Sequence, residues 1–278
     1  MRRRDLLASG LSLAVLSAVG GVARAEAALR GQFVQGTLIR GKTEPGAHVS
    51  IDGRKLNLSA NGDFAFGFAY DHTAAAELKI ALGGRTEIKS LALAKREYKV
   101  QRIDGLPEKF VDPPASVMAR IERDNRLIGA ARARDTDEAW FADDFAWPVE
   151  GPHTGVYGSQ RILNGVPKRP HFGVDIAAGE GKTIRAPVGA VVSMAENDLY
   201  FTGGTVILDH GRGVSTSYLH MSRLDVKVGD RLAKGDPIGA VGKTGRATGP
   251  HLCWRLNWFQ ERLDASLVVP DMPRQKQG

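Results

Sequence analysis

Val226-Lys227-Val228-Gly229-Asp230-Arg231-Leu232-Ala233-Lys234-Gly235-Asp236-Pro237-Ile238-Gly239-Ala240-Val241-Gly242 is the stretch on which the fold turns. Its apolar residues come in short pieces. Gly229-Asp230, Lys234-Gly235-Asp236 and Gly242 break them at intervals too short for a helix, and the pieces read as strands joined by turns. The same texture begins at Phe145-Ala146-Trp147-Pro148 and continues through Ile184, Val188, Val191-Val192, Val206-Ile207-Leu208 and Val214. No long helix fits there. Residues 141–270 are expected to form an all-β domain, with 271–278 as a disordered tail.

Toward the N-terminus the pattern repeats on a smaller scale. Phe33 to Ile39, His48 to Ile51, Lys55 to Leu58, Phe64 to Phe68, Leu78 to Leu82 and Ile88 to Leu93 read as strands, with Asp52-Gly53, Asn61-Gly62 and Gly83-Gly84 as turns. Residues 29–105 are expected to be a small β-sandwich. The succession Gly41-x-x-x-Pro45-Gly46-Ala47-x-Val49, Asp52-Gly53 and Asn61-Gly62-Asp63-Phe64 resembles bacterial immunoglobulin-like modules. His48 and His72 belong to its surface on this reading. Asp112-Pro113-Pro114 then opens a different texture. Val117, Met118, Ile121, Leu127 and Ile128 recur at helical spacing, so a linker at 106–140 carries one amphipathic helix over 114–133 that packs on one of the domains.

The first 25 residues read as an address. Arg2-Arg3-Arg4 precedes an uncharged apolar run to Ala23, and Ala23-Arg24-Ala25 offers a small-x-small cleavage pattern, which together make a signal peptide. Arg3-Arg4-Asp5-Leu6-Leu7 also resembles a twin-arginine export signal, with ordinary unfolded export as the alternative. An exported, periplasmic protein is expected, with no stable membrane anchor after cleavage, and a monomer. The formal net charge of the 278 residues is +7. Arg2, Arg3, Arg4 and Arg24, offset by Asp5, supply +3 of it, which leaves a mild positive charge suited to an anionic polymer. No basic stripe interleaved with aromatics is present, which argues against nucleic acid. One cysteine, Cys253, rules out an intramolecular disulfide.

Five of the seven histidines fall in the C-terminal domain. His171-Phe172-Gly173-Val174-Asp175 sets an imidazole and a carboxylate four apart, within reach of one metal. Tyr218-Leu219-His220 presents a histidine at a strand end. In His251-Leu252-Cys253 the outer residues share one face of a strand. Zinc takes nitrogen, sulfur and carboxylate ligands, and a catalytic site leaves one position open. His171, Asp175 and Cys253 would supply three ligands, with His220 and His251 left for proton transfer. Arg161 is a candidate substrate contact or a structural ion pair. His210 and His153 read as structural and surface residues.

Residues 145 to about 265 resemble the lysostaphin/LytM-type zinc endopeptidases. The resemblance lies in Pro-His-Phe-Gly-Val-Asp-Ile-Ala-Ala, Ala-Pro-Val-Gly-Ala-Val-Val, Asp-His-Gly-Arg-Gly-Val-Ser-Thr-Ser-Tyr-Leu-His-Met-Ser, the 228–245 stretch, and Thr-Gly-Pro-His-Leu-Cys-Trp. It implies an antiparallel β fold with the site in a groove, a Zn2+ cofactor, and the cross-linking peptides of peptidoglycan as substrate. It further implies His171 and Asp175 as the first two ligands, His220 and His251 as catalytic, and a histidine as third ligand where this chain has Cys253. A thiolate ligand is the expectation. A decayed site, surviving as a wall-binding module or an activator of a peptidoglycan amidase, is the alternative, and a merely buried cysteine a third.

Overall fold

The computed structural model describes residues 27–272. The signal-peptide and export readings fall outside these residues, as does the tail beyond Met272. The chain is mostly β-sheet with few helices. In the N-terminal part, Ala28–Arg30, Leu38–Lys42 and Asp63–Gly67 make a three-stranded antiparallel sheet. Arg54–Leu56, His48–Ile51, Ala76–Leu82 and Arg85–Leu91 make a four-stranded one. The turn Asp52-Gly53 sits at φ 46° and 76° and Gly83-Gly84 at 56° and 76°, the mirror-image geometry that suits two-residue hairpins. Alternation then sends Leu78 and Ile80 inward beside Leu38, Val49, Phe64 and Phe66, in a core continuous with that of the C-terminal part.

The sequence places the end of this first unit at about residue 105, yet the strand Val100–Ile103 pairs elsewhere. It runs parallel to Gln160–Leu163, with Arg161 opposite Gln101. The reason is local packing: Ile103, Leu106, Val111 and Leu163 close a small apolar cluster of their own. The helix is Met118–Arg132, entered through a 3-10 turn at Ala115–Val117 after Pro113-Pro114. Ile128 and Ala131 pack on Met194, Leu199 and Ile207 of the second part. The face set toward that part also buries two charged residues, Asp124 and Arg132, which share the helical face of Ile121 and Ile128 but which their charge alone would send outward.

The C-terminal part is built on an eight-stranded antiparallel sheet. Its order is Arg231–Leu232, Ala190–Leu199, Gly203–Asp209, Val214–Met221, His251–Trp258, Val174–Ala177, His153–Gly155, with Glu261–Leu263 added to His251–Trp258. A smaller sheet joins Thr183–Arg185, Pro237–Ala240 and Arg223–Leu224. The three central strands position the site. Asp175 lies opposite Cys253 and Cys253 opposite Leu219, with His251 opposite Ala177, so residues from three distant stretches fall into one row.

Candidate metal centre

His171 precedes its strand in a segment fixed by backbone hydrogen bonds on both sides, from its own N–H to the Ser159 carbonyl and from the Gly158 N–H to the His171 carbonyl. Its Nε2 lies 3.2 Å from Asp175 Oδ1 and 3.3 Å from Cys253 Sγ. One ligand atom from each of the three residues lies within 4.8 Å of the other two, and all three residues are buried. A tetrahedral zinc with ordinary bond lengths holds nitrogen, oxygen and sulfur roughly 3.3–3.6 Å apart, and the two separations from the His171 nitrogen are close to that. Asp175 Oδ1 is buried with no hydrogen-bond partner, an unmet acceptor aimed at the same point. Two glycines make the approach possible. A Cβ at Gly173 would stand 3.0 Å from Cys253 Sγ, and one at Gly155 would stand 2.3 Å from Asp175 Oδ2.

Two of the three residues are held in the protonation state that binds metal. Burial would raise the Asp175 carboxyl, but the His171 ring, 3.2 Å from Oδ1, and the Arg161 guanidinium hold it well below the usual carboxylate range. Arg161 Nη2 donates to Asp175 Oδ2 at 2.8 Å, forming an ion pair at the edge of the cluster. Burial pushes His171 down to about 4, leaving it neutral with a lone pair for a metal. Burial, and then Asp175, push the Cys253 thiol up to about 11.

His220 and His251 stand beside this cluster with ring centroids 4.8 Å apart. His220 has φ 67°, a left-handed conformation uncommon for a residue with a side chain. Its Nδ1 donates to the Thr244 carbonyl at 2.8 Å, and the His251 Nδ1 donates to the Gly249 carbonyl at 2.9 Å. Both rings are thereby fixed in the tautomer that leaves Nε2 as an acceptor. The His251 Nε2 lies 3.8 Å from Asp175 Oδ1. Burial, and then His251, lower His220 to about 3.

The remaining histidines lie elsewhere. His210 is fully buried, its Nδ1 donating to the Gly189 carbonyl and its Nε2 accepting from Thr216. His153 is exposed against Trp147, His48 is exposed, and His72 packs on Phe68.

Residues 169–265 match Peptidase family M23. The chain carries an M23 peptidase domain. Within it lie His171, Asp175, His220, His251 and Cys253. M23 peptidases are zinc enzymes, in accord with the donor set. Over 98 residues the chain is 42% identical to the peptidoglycan DD-endopeptidase ShyA of Vibrio cholerae, which covers 34% of this chain and 23% of that one. It is 39% identical over 102 residues to the DD-carboxypeptidase/endopeptidase Mpg of Neisseria meningitidis, 37% of this chain and 22% of that one. The matched M23 segment thus spans less than a quarter of these relatives' length. A crystal structure from Pseudomonas aeruginosa assigned to peptidase M23 superposes with a TM-score of 0.66 at 25% identity, covering 86% of this chain and 95% of that chain. The shared fold therefore extends well beyond the M23 domain itself.

Sequence reasoning missed two features of the site. The carbonyls of Thr244 and Gly249 that fix the imidazoles are main-chain atoms and leave no mark in residue type. The arginines that surround the site come from segments more than a hundred residues apart and form no visible run.

Proposed function

We propose that this chain is an exported, zinc-dependent peptidoglycan endopeptidase, with residues 141–270 as the catalytic unit and an immunoglobulin-like N-terminal unit that positions or covers its groove. The observation that carries this reading is the convergence of the His171, Asp175 and Cys253 donor atoms beside two imidazoles with free Nε2 atoms. His171, Asp175 and Cys253 would hold the ion, which when bound supplies Lewis acidity at the scissile carbonyl. His251 is half-buried, and its Nε2 faces the Asp175 carboxylate at 3.8 Å. It carries the proton from the attacking water to the departing amine. His220, kept neutral by burial, accepts a hydrogen bond from that water and sets its direction.

Cys253 also motivates the second reading, a wall-binding module without catalysis. One experiment separates the two: zinc per purified chain, followed by incubation with purified sacculi and assay of released fragments and new amino groups. The peptidase reading expects about one zinc per chain, cleavage, and a loss of at least about a hundredfold in His251→Ala with zinc retained. A chain that takes up no zinc, releases nothing and still binds sacculi tightly is the module.

A further inference from the structure

Between the Met118–Arg132 helix and the central sheet lies a cavity of about 490 Å³ that reaches His171 and His220. Arg132, Arg161, Arg169, Arg246, Arg255 and Arg262 all line it. Arg161 is matched by Asp175. Asp124, the one carboxylate in the wall, is already engaged by Arg123 and by the Tyr200 backbone N–H. Among the described residues, the other five guanidiniums pair with no carboxylate. Arg132 is only 4% exposed, its side chain makes no hydrogen bond or ion pair among the described residues, and its Nε is buried without a partner, as is the Nε of Arg255. Burial, and then Arg262 and Arg255, pull Arg132 well below the usual arginine value. Buried like charges of this kind destabilise a fold unless a counter-charge is supplied.

We infer that this cavity is a subsite for an acidic peptide segment carrying two or more carboxylates, received by Arg132, Arg255 and Arg262 beside the metal centre. The inference rests on the peptidase reading of that centre. A peptide fits better than a small inorganic anion because Ile128, Leu163, Leu199 and Phe172 share the wall with the arginines. In addition, Arg161, Leu163, His220 and Arg246 also line a second cavity of about 280 Å³, whose wall holds Asp175 and His251. An extended chain lying through both passes the hydrolytic groups with its acidic part on the helix side. Guanidinium forks bind carboxylates in pairs of charge-assisted hydrogen bonds.

The test is calorimetric titration of the metal-stripped full chain with two synthetic peptides, Ala-Glu-Ala-Glu with a free C-terminus and its Ala-Gln-Ala-Gln carboxamide twin. The acidic peptide is expected to bind at least about tenfold tighter. Arg132→Leu is expected to erase most of that ratio while raising the melting temperature of the ligand-free chain, the reverse of what a structural arginine would do. Arg255→Gln, at a half-buried position, should lower the ratio as well and serves if the leucine variant does not fold. Equal affinity for the two peptides overturns the inference, as does an unchanged ratio in both variants, or tighter binding of inorganic phosphate than of the acidic peptide. Because the ratio is read without metal or turnover, a chain that cleaves sacculi but ignores the carboxylates keeps the peptidase reading and loses this one. An inert chain that discriminates does the opposite.

Discussion

Cys253→Ser removes the sulfur and little else. The residue is 1% exposed, so the variant exchanges one buried small group for another, and a buried hydroxyl in place of a thiol costs about 1–3 kcal/mol in the metal-free chain. Zinc affinity should change far more. Zinc in four-ligand protein sites is worth about 10–16 kcal/mol near neutral pH, so each ligand contributes roughly 3–4 kcal/mol, and loss of the sulfur weakens binding on the order of a hundredfold to a thousandfold. The pH profile adds a second signature. A thiol gives up its proton when it ligates, and burial holds the Cys253 thiol protonated up to about 11. His171 is already neutral and Asp175 already ionised, so neither adds a proton near neutrality. The parent's zinc association constant should therefore climb about tenfold per pH unit and keep climbing past about pH 9, where an exposed thiol would level off. The serine variant should show a flat profile over the same range. Competition titration against a zinc chelator across pH, with circular-dichroism melts of the metal-free chains, reads both. A single affinity and a single flat profile shared by parent and variant would refute a sulfur ligand.

Arg161→Met breaks a buried ion pair and leaves the Asp175 carboxylate alone, so the metal-free chain should lose about 3–5 kcal/mol in urea unfolding, with part restored by saturating zinc. Gly155→Ala drives a methyl to 2.3 Å from Asp175 Oδ2, which Arg161 keeps from swinging away; zinc affinity measured by chelator competition should fall about 10–100-fold. Burial holds His171 and His210 at about 4 and His220 at about 3, against about 6.5 in an unfolded chain. Stability from these groups is fully present above the unfolded value and is lost as pH falls toward the folded values, because the unfolded state takes up protons the folded state refuses. Each histidine contributes on the order of 3 kcal/mol, and urea midpoints of the metal-free chain that stay level between about pH 7 and 5 would contradict their burial as neutral rings.

Much of the site's placement follows from periodicity. Residues two apart on a strand share a face, so His251 and Cys253 needed only the strand assignment to be brought together, and the structure puts both on His251–Trp258. The pairing of that strand with Val174–Ala177 sets Cys253 against Asp175, a long-range register that glycine spacing hints at but does not determine. The hairpins at Asp52-Gly53 and Gly83-Gly84 were legible because their φ values demand those residue types. Three features were not legible. The parallel pairing of Val100–Ile103 follows from a local apolar cluster rather than from its own sequence. The burial of Asp124 and Arg132 follows from which side of the helix meets the sheet. The arginine-lined cavity exists only once many separate segments, from the helix to the last strands, are folded around it.

That parallel pairing is also a mechanical linkage. Val100–Ile103 is the first stretch after the N-terminal sheets, and its partner strand Gln160–Leu163 carries Arg161, the residue that grips the Asp175 carboxylate. The N-terminal unit is thus joined, through four paired residues, to the strand whose guanidinium holds the Asp175 carboxylate. The two ends of the chain are therefore not independent: the backbone of one is part of the scaffold that orients a buried carboxylate in the other.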